Sequence, residues 1–127
     1  MADKKKSILI IDDEKEILDS LSDYLQRNGY DVETVDNGLE GLEIARTRRP
    51  DLIILDLILP DIDGSDVAAK LLEDPLMRKT SVIFLTGIMR KSELEQSGPV
   101  VAKRCIVAKP CSPEEILARV KVQIGPA

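Results

Sequence analysis

Short apolar runs and amphipathic stretches take turns along the chain. Ile8–Ile11 is a continuous apolar run, as expected of a strand buried on both faces. Ile17, Leu18, Leu21 and Leu25 then recur at three- and four-residue spacing, which predicts a helix that Gly29 stops. Val32–Val35 reads as an edge strand, and Leu39, Leu42 and Ala45 as the buried stripe of a second helix ending before Pro50. Leu52–Leu55 is a strong buried-strand run, followed by a loop over Leu57–Gly64 that Pro60 and Gly64 punctuate. Val67, Ala68, Leu71 and Leu72 predict a third helix, which must end near Asp74-Pro75. Val82–Leu85 and Ile106–Ala108 supply two further strands, with a short helix expected around Lys91–Gln96 before Gly98-Pro99. The last helix is announced by Ser112 as N-cap, Pro113 at its first position and Glu115 where a capping box wants it. Its buried face is Ile116, Leu117, Val120 and Ile124.

Five strands alternating with five helices predict a doubly wound α/β domain, a five-stranded parallel sheet in the order 2-1-3-4-5. The 127 residues are expected to form a single domain with an ordered core over about 6–124. Composition narrows the function. One Phe, two Tyr and no Trp leave an aliphatic core and no base-stacking surface, and a net charge of −5 disfavours a phosphate-backbone binder. No nucleic-acid partner is therefore expected; no apolar run approaches the length of a membrane span, so no membrane partner is expected either and a cytoplasmic location is the expectation. The chain has no histidine, which removes His-based metal sites and Ser-His or Cys-His catalysis. Cys105 and Cys111 flank the fifth strand too far apart for a disulfide, and read as free thiols.

The informative positions are those where polar residues end the apolar runs. Asp12 and Asp13 follow the first strand, Asp56 ends the third, Thr86 the fourth, and Lys109 follows the fifth. Carboxyl ends of parallel strands share one edge, where open α/β sheets place ligands. In the expected order Asp56 is central, with the acids of the first strand and Thr86 each about 4.8 Å to a side. Lys109 starts two strands away, a distance its long side chain can span. Three carboxylates in one crevice repel one another, and an all-oxygen site of few carboxylates favours Mg²⁺. Such a site can accept a phosphoryl group: one carboxylate oxygen of Asp56 attacks phosphorus, while Lys109 and Thr86 hold the equatorial oxygens. Each residue also has a local reading. Asp12 and Asp13 could cap the first helix, Asp56 could end a strand at a turn, Thr86 could be a core hydroxyl, and Lys109 a surface residue. Those readings leave their joint placement unexplained.

Ile10-Ile11-Asp12-Asp13-Glu14, Leu55-Asp56-Leu57 leading to Pro60 and Asp63-Gly64, Leu85-Thr86-Gly87, and Lys109-Pro110 together resemble the receiver domain of bacterial two-component response regulators. The likeness covers essentially the whole chain. It implies a signalling phosphoacceptor, not an enzyme, that takes phosphate onto Asp56 from a sensor histidine kinase or a histidine phosphotransfer protein. It implies Mg²⁺ held by Asp13, Asp56 and the backbone carbonyl of Ile58, with Asp12 acting directly or through water. It further implies a cis Lys109-Pro110 bond and a Thr86 that swings toward the phosphate. That swing would shift the surface of the Lys91–Gln96 helix, fifth strand and last helix toward an output partner or domain, in a monomer or a phosphorylation-dependent homodimer.

Three positions depart from the family pattern. Ile106 stands where a switching Tyr or Phe is common, Cys111 where Phe is, and Gly98-Pro99 predicts a shortened or distorted helix. Ile58 and Ile88, two residues beyond Asp56 and Thr86, are expected to flank the phosphoryl group and slow its hydrolysis. Competing readings are a degenerate receiver serving only as a scaffold, a haloacid-dehalogenase-type phosphatase and a flavodoxin-type binding module. The phosphatase would need Asp-x-Asp where position 58 is Ile, and the flavodoxin type a Ser/Thr/Gly-rich loop where Asp12-Asp13-Glu14 stands.

Overall fold

The computed structural model describes residues 5–87 and 105–127. Strands β1 (Ser7–Ile11), β2 (Asp31–Val35), β3 (Leu52–Asp56), β4 (Ser81–Thr86) and β5 (Cys105–Ala108) form one parallel sheet in the order β2-β1-β3-β4-β5. The expected topology is therefore observed. Helices α1 (Lys15–Arg27), α2 (Gly38–Arg48), α3 (Gly64–Glu73) and α4 (Pro113–Ile124) connect and flank the strands, and a 3-10 turn at Pro75–Met77 follows α3. Four α-helices are thus seen among the described residues, where five were expected. The helix anticipated at Lys91–Gln96, its interruption at Gly98-Pro99, and Ile88 lie outside those residues.

Strand side chains alternate between two aliphatic cores. Leu9, Ile11, Ile53, Leu55, Val82 and Phe84 face α2 and α3, whereas Ile8, Ile10, Leu52, Ile54, Ile83 and Leu85 face α1 and α4. Burial on both faces explains why β1, β3 and β4 read as unbroken apolar runs. β2 lies at an edge and keeps polar Asp31, Glu33 and Thr34.

Helix ends follow the local chemistry. Ser112 Oγ accepts from the Glu115 N–H at 3.1 Å and starts α4 behind Pro113. Gly29 takes a positive φ of 96° just after α1, as a stop requires. α2 departs from expectation in its facing. Its buried residues are Gly38, Gly41, Leu42 and Ala45, while Leu39 is 57% exposed. The apolar spacing suggested a leucine stripe. Instead, glycines lie on the buried face, letting the helix approach Ile11 closely and turning Leu39 outward. At the far end of the molecule Lys6 Nζ donates to the Ile124 and Pro126 carbonyls, and the Tyr30 hydroxyl to that of Gly125. These contacts moor the end of α4 to the start of the sheet.

The β3–α3 connection is tightly constrained. A Cβ on Gly64 would overlap the Asp56 carbonyl oxygen and lie 2.9 Å from Leu57 Cα. Both are backbone atoms that cannot yield, so only glycine lets α3 start this close to Asp56. The Asp61 carboxylate accepts from the N–H groups of Gly38 and Leu39 at 2.8 and 2.9 Å, capping α2 from a distant loop. Hydrogen bonds from Leu39 first, then from Gly38 and Ile62, hold the Asp61 carboxyl below its usual value.

Two predictions follow from these constraints. Gly64→Ala should lower stability by about 1–3 kcal/mol in denaturant unfolding, because the added methyl meets backbone. For Asp61, a folded-state pKa below the unfolded one means stability present above the usual aspartate value of 3.8 and lost as pH falls through the lower folded value. Asp61→Asn should therefore lower the melting temperature at neutral pH, and the gap to the wild type should close on acidification. Thermal melts followed by circular dichroism at several pH values measure both.

Candidate functional site

The ends of β1, β3, β4 and β5 meet at one edge of the sheet. Asp56, the last residue of β3, is 4% exposed, and Thr86, the last of β4, is equally buried. The side chain of Lys109 crosses the end of β4, placing Nζ 2.8 Å from Asp56 Oδ2, 2.9 Å from Asp12 Oδ2 and 3.0 Å from Glu14 Oε1. One ammonium thus gathers three carboxylates from two strand ends.

Asp12 is fully buried. Its Oδ1 accepts from the Glu14 N–H at 2.9 Å, so its local turn-forming role is real as well. Its Oδ2 makes an ion pair with Lys109 but, among the described residues, receives no directed hydrogen bond. Burial is the main reason the Asp12 carboxyl is pushed above its usual range; Glu14 N–H and Lys109 oppose the shift, and the Asp56 charge adds to it. Lys109 shows the converse balance. Burial alone would lower its pKa, but the contacts with Asp56, Asp12 and Glu14 outweigh this and hold it above the ordinary lysine value. The ammonium form is therefore locked in.

Carboxylate oxygens of Asp12, Asp13, Glu14 and Asp56 all lie within 4.8 Å of one another. Four acids against one ammonium leave an excess of negative charge, and oxygen-only donors at this spacing fit a hard divalent cation. Asp13 and Glu14 are exposed, so the cluster opens to solvent on one side and is closed by Asp12 and Asp56 on the other. Ile58, in the loop after β3, donates its N–H to Asp56 Oδ1 at 3.0 Å and is itself 63% exposed. Thr86 Oγ1 is buried and has no hydrogen-bond partner among the described residues. Among the described residues, a Cβ on Gly87 would meet nothing within 4 Å.

The structure brings Asp12, Asp56 and Lys109 into direct contact and gathers Asp13 with them. Thr86 ends the neighbouring strand, and Ile58 borders Asp56 through its backbone. The Lys109-Pro110 peptide bond is cis. Ile106 sits half-buried on β5 against the α2–α3 core, distant in role from the acids. Glu14 is the residue that sequence reasoning passed over. It was quoted as part of an acidic run, and only the reach of Lys109 shows that it belongs to the cluster. Cys105 and Cys111 are free and half-buried, as expected. A groove of about 530 Å³ lined by Glu14, Ile17, Leu21, Lys109 and Cys111 opens beside the site. A larger one, about 800 Å³, lies at the opposite edge of the sheet near Lys5, Asp31 and Arg49, remote from this chemistry. Among the described residues no helix is long and apolar enough to cross a membrane.

Comparison with known proteins agrees with this geometry. Residues 8–121 match the response regulator receiver domain family. The chain is 40% identical over 117 residues to the alkaline phosphatase synthesis transcriptional regulatory protein PhoP of Bacillus subtilis, covering 91% of this chain and 47% of that protein. It is 32% identical over 124 residues to the polar-differentiation response regulator DivK of Brucella anthropi, covering 96% and 98%. It spans about half the length of PhoP and of the Escherichia coli regulator CreB, but nearly all of DivK. Among solved structures, the chemotaxis response regulator CheY4 of Vibrio cholerae superposes with a TM-score of 0.86 at 28% identity, covering 95% of this chain and all of that one. The BeF3-activated DrrB receiver domain gives 0.81 at 30%, covering 95% and 98%. A family match over residues 8–121 and relatives of this identity, on a parallel sheet of the same fold, place the chain plainly: it belongs to the response regulator receiver domains of two-component signalling.

Proposed function

We propose that Asp56 is the phosphoacceptor, and that the chain works as a switch whose chemistry is confined to its own phosphorylation and dephosphorylation. The observation that carries this assignment is the 2.8 Å contact between Asp56 Oδ2 and Lys109 Nζ, made across an intervening strand and beside three further acids. Asp56 ends the central strand, buried and in contact with Lys109, which lines an open groove through which a donor can approach.

Asp13, Asp56 and the Ile58 carbonyl would hold Mg²⁺, with Asp12 bound directly or through water. The ion supplies positive charge for phosphoryl oxygens at a place otherwise too acidic to receive them. An Asp56 oxygen attacks the phosphorus of a phosphohistidine on a sensor kinase or phosphotransfer protein. The O–P bond forms as the P–N bond breaks, and the imidazole leaves with its electron pair. Lys109, held as ammonium, exchanges its contact with Asp56 for one with a phosphoryl oxygen, so charge is stabilised without a proton being moved. Thr86 Oγ1, buried at the end of the neighbouring strand, can turn to donate to the same group. The groove along Ile17, Leu21 and Cys111 suits the donor's approach.

Signal output rests on Ile106 and the surface near β5 and α4, where an aliphatic residue replaces a switching aromatic. The partner or output domain controlled from that surface is one that reads a change in packing, not the flip of a ring.

Incubation with acetyl phosphate and Mg²⁺ should add the mass of one phosphoryl group to the wild type and nothing to Asp56→Asn. Uptake by Asp56→Asn, or none by the wild type with any small-molecule or phosphohistidine donor, would contradict the assignment. The exposed Ile58 side chain should also slow hydrolysis. Ile58→Asn is expected to shorten the lifetime of the phosphorylated form several-fold, read from its decay with Mg²⁺ present; an unaltered lifetime counts against any shielding by this side chain.

A further inference from the structure

The loop from Leu57 to Asp63 carries Ile58 past Asp56, and it is fastened in an unusual way. Its base is tied by Leu57 N–H to the Leu85 carbonyl at 2.9 Å and by Gly64 N–H to the Leu57 carbonyl at 2.9 Å. Its tip is tied by Asp61. One carboxylate oxygen accepts from Gly38 N–H at 2.8 Å and the other from Leu39 N–H at 2.9 Å. Among the described residues these are the hydrogen bonds that join the Ile58–Ile62 tip to a different element. The remaining two, Ile58 N–H to Asp56 and Ile62 N–H to Asp61, are local.

Two side chains share the first N–H groups of α2, with Asp61 taking Gly38 and Leu39. Asn37 takes Glu40, with Oδ1 accepting from its N–H at 2.9 Å. The apolar side of the tip also rests on the same helix end, since Ile62 and Leu59 crowd the face of Gly38 where any Cβ would sit. Polar tie and apolar contact thus converge on the first turn of α2. What they fix is the tip, and with it the backbone of Ile58 three residues upstream of Asp61.

We propose that Asp61 is a positioning residue for the phosphoacceptor site: by fastening the loop to α2 it holds the Ile58 backbone against Asp56, so that cation affinity depends on α2. The inference rests on the proposed role of the Ile58 carbonyl and Asp56 as cation ligands. Partners set around a ligand's own support commonly change metal affinity when removed, without touching the ion. An Asn at 61 keeps one accepting oxygen and gives up the other, whereas Ala gives up both. Asn37 supplies the control. It stabilises the same helix end through the same kind of bond, but among the described residues its side chain makes no hydrogen bond to the loop.

The test is a Mg²⁺ titration of the full chain followed by backbone amide NMR shifts, on the wild type, Asp61→Asn, Asp61→Ala and Asn37→Ala, with melting temperatures recorded for each. Asp61→Ala should weaken Mg²⁺ binding by roughly 10-fold, Asp61→Asn by less, and Asn37→Ala not at all although its melting temperature falls. Equal affinities for wild type and both Asp61 variants, or an equal loss in Asn37→Ala, would overturn the positioning role while leaving the cation site intact. Should Asp61→Ala not fold, Asp61→Asn against Asn37→Ala decides the matter alone. A wild type that shows no saturable Mg²⁺ shift would instead refute the cation site itself, and Asp61's role with it.

Discussion

A single ammonium holds the working edge of this protein together. Lys109 reaches over the end of β4 to three carboxylates, and the acids that would otherwise repel one another are packed around it. The balance is deliberately incomplete. Among the described residues four acids share one cation, and neither Asp12 Oδ2 nor the buried Thr86 hydroxyl has a hydrogen-bond partner. A fully satisfied cluster would be an inert structural network. This one retains a deficit of positive charge and an idle donor, the complement of a divalent ion and a phosphoryl group.

The rest of the fold can be understood as support for that arrangement. Two aliphatic cores clamp the sheet from both faces, so the ends of β1, β3 and β4 are set by packing and not by the charged residues themselves. Gly64 lets α3 start against the backbone of Asp56. Asp61 draws the following loop onto α2. The cost of crowding acids is thus met by aliphatic burial elsewhere, and the stabilising and the reactive parts of the molecule are kept apart.

Much of this was legible beforehand, for identifiable reasons. Buried parallel strands must be apolar throughout, so Asp12, Asp56 and Thr86 stood out as polar ends of apolar runs, and parallel order alone sent them to one edge. Glu14 was not legible as a member of the cluster, because an exposed acid at the start of a helix looks like any other until the reach of Lys109 is seen. The outward turn of Leu39 was hidden for a different reason: the buried face of α2 is partly glycine, which leaves no apolar signal. Asp61 was silent too. A carboxylate that caps a helix 23 positions away in sequence has no local pattern to reveal it.

The most direct test of the account is a crystal structure of the domain grown with Mg²⁺ and beryllofluoride, a phosphoryl mimic. The account predicts the fluoride group bonded to an Asp56 oxygen, Mg²⁺ beside Asp13, Lys109 Nζ moved from Asp56 onto a fluorine, and Thr86 Oγ1 turned toward the group. A mimic bound elsewhere, or an Asp56–Lys109 pair unchanged at saturating mimic and ion, would contradict it.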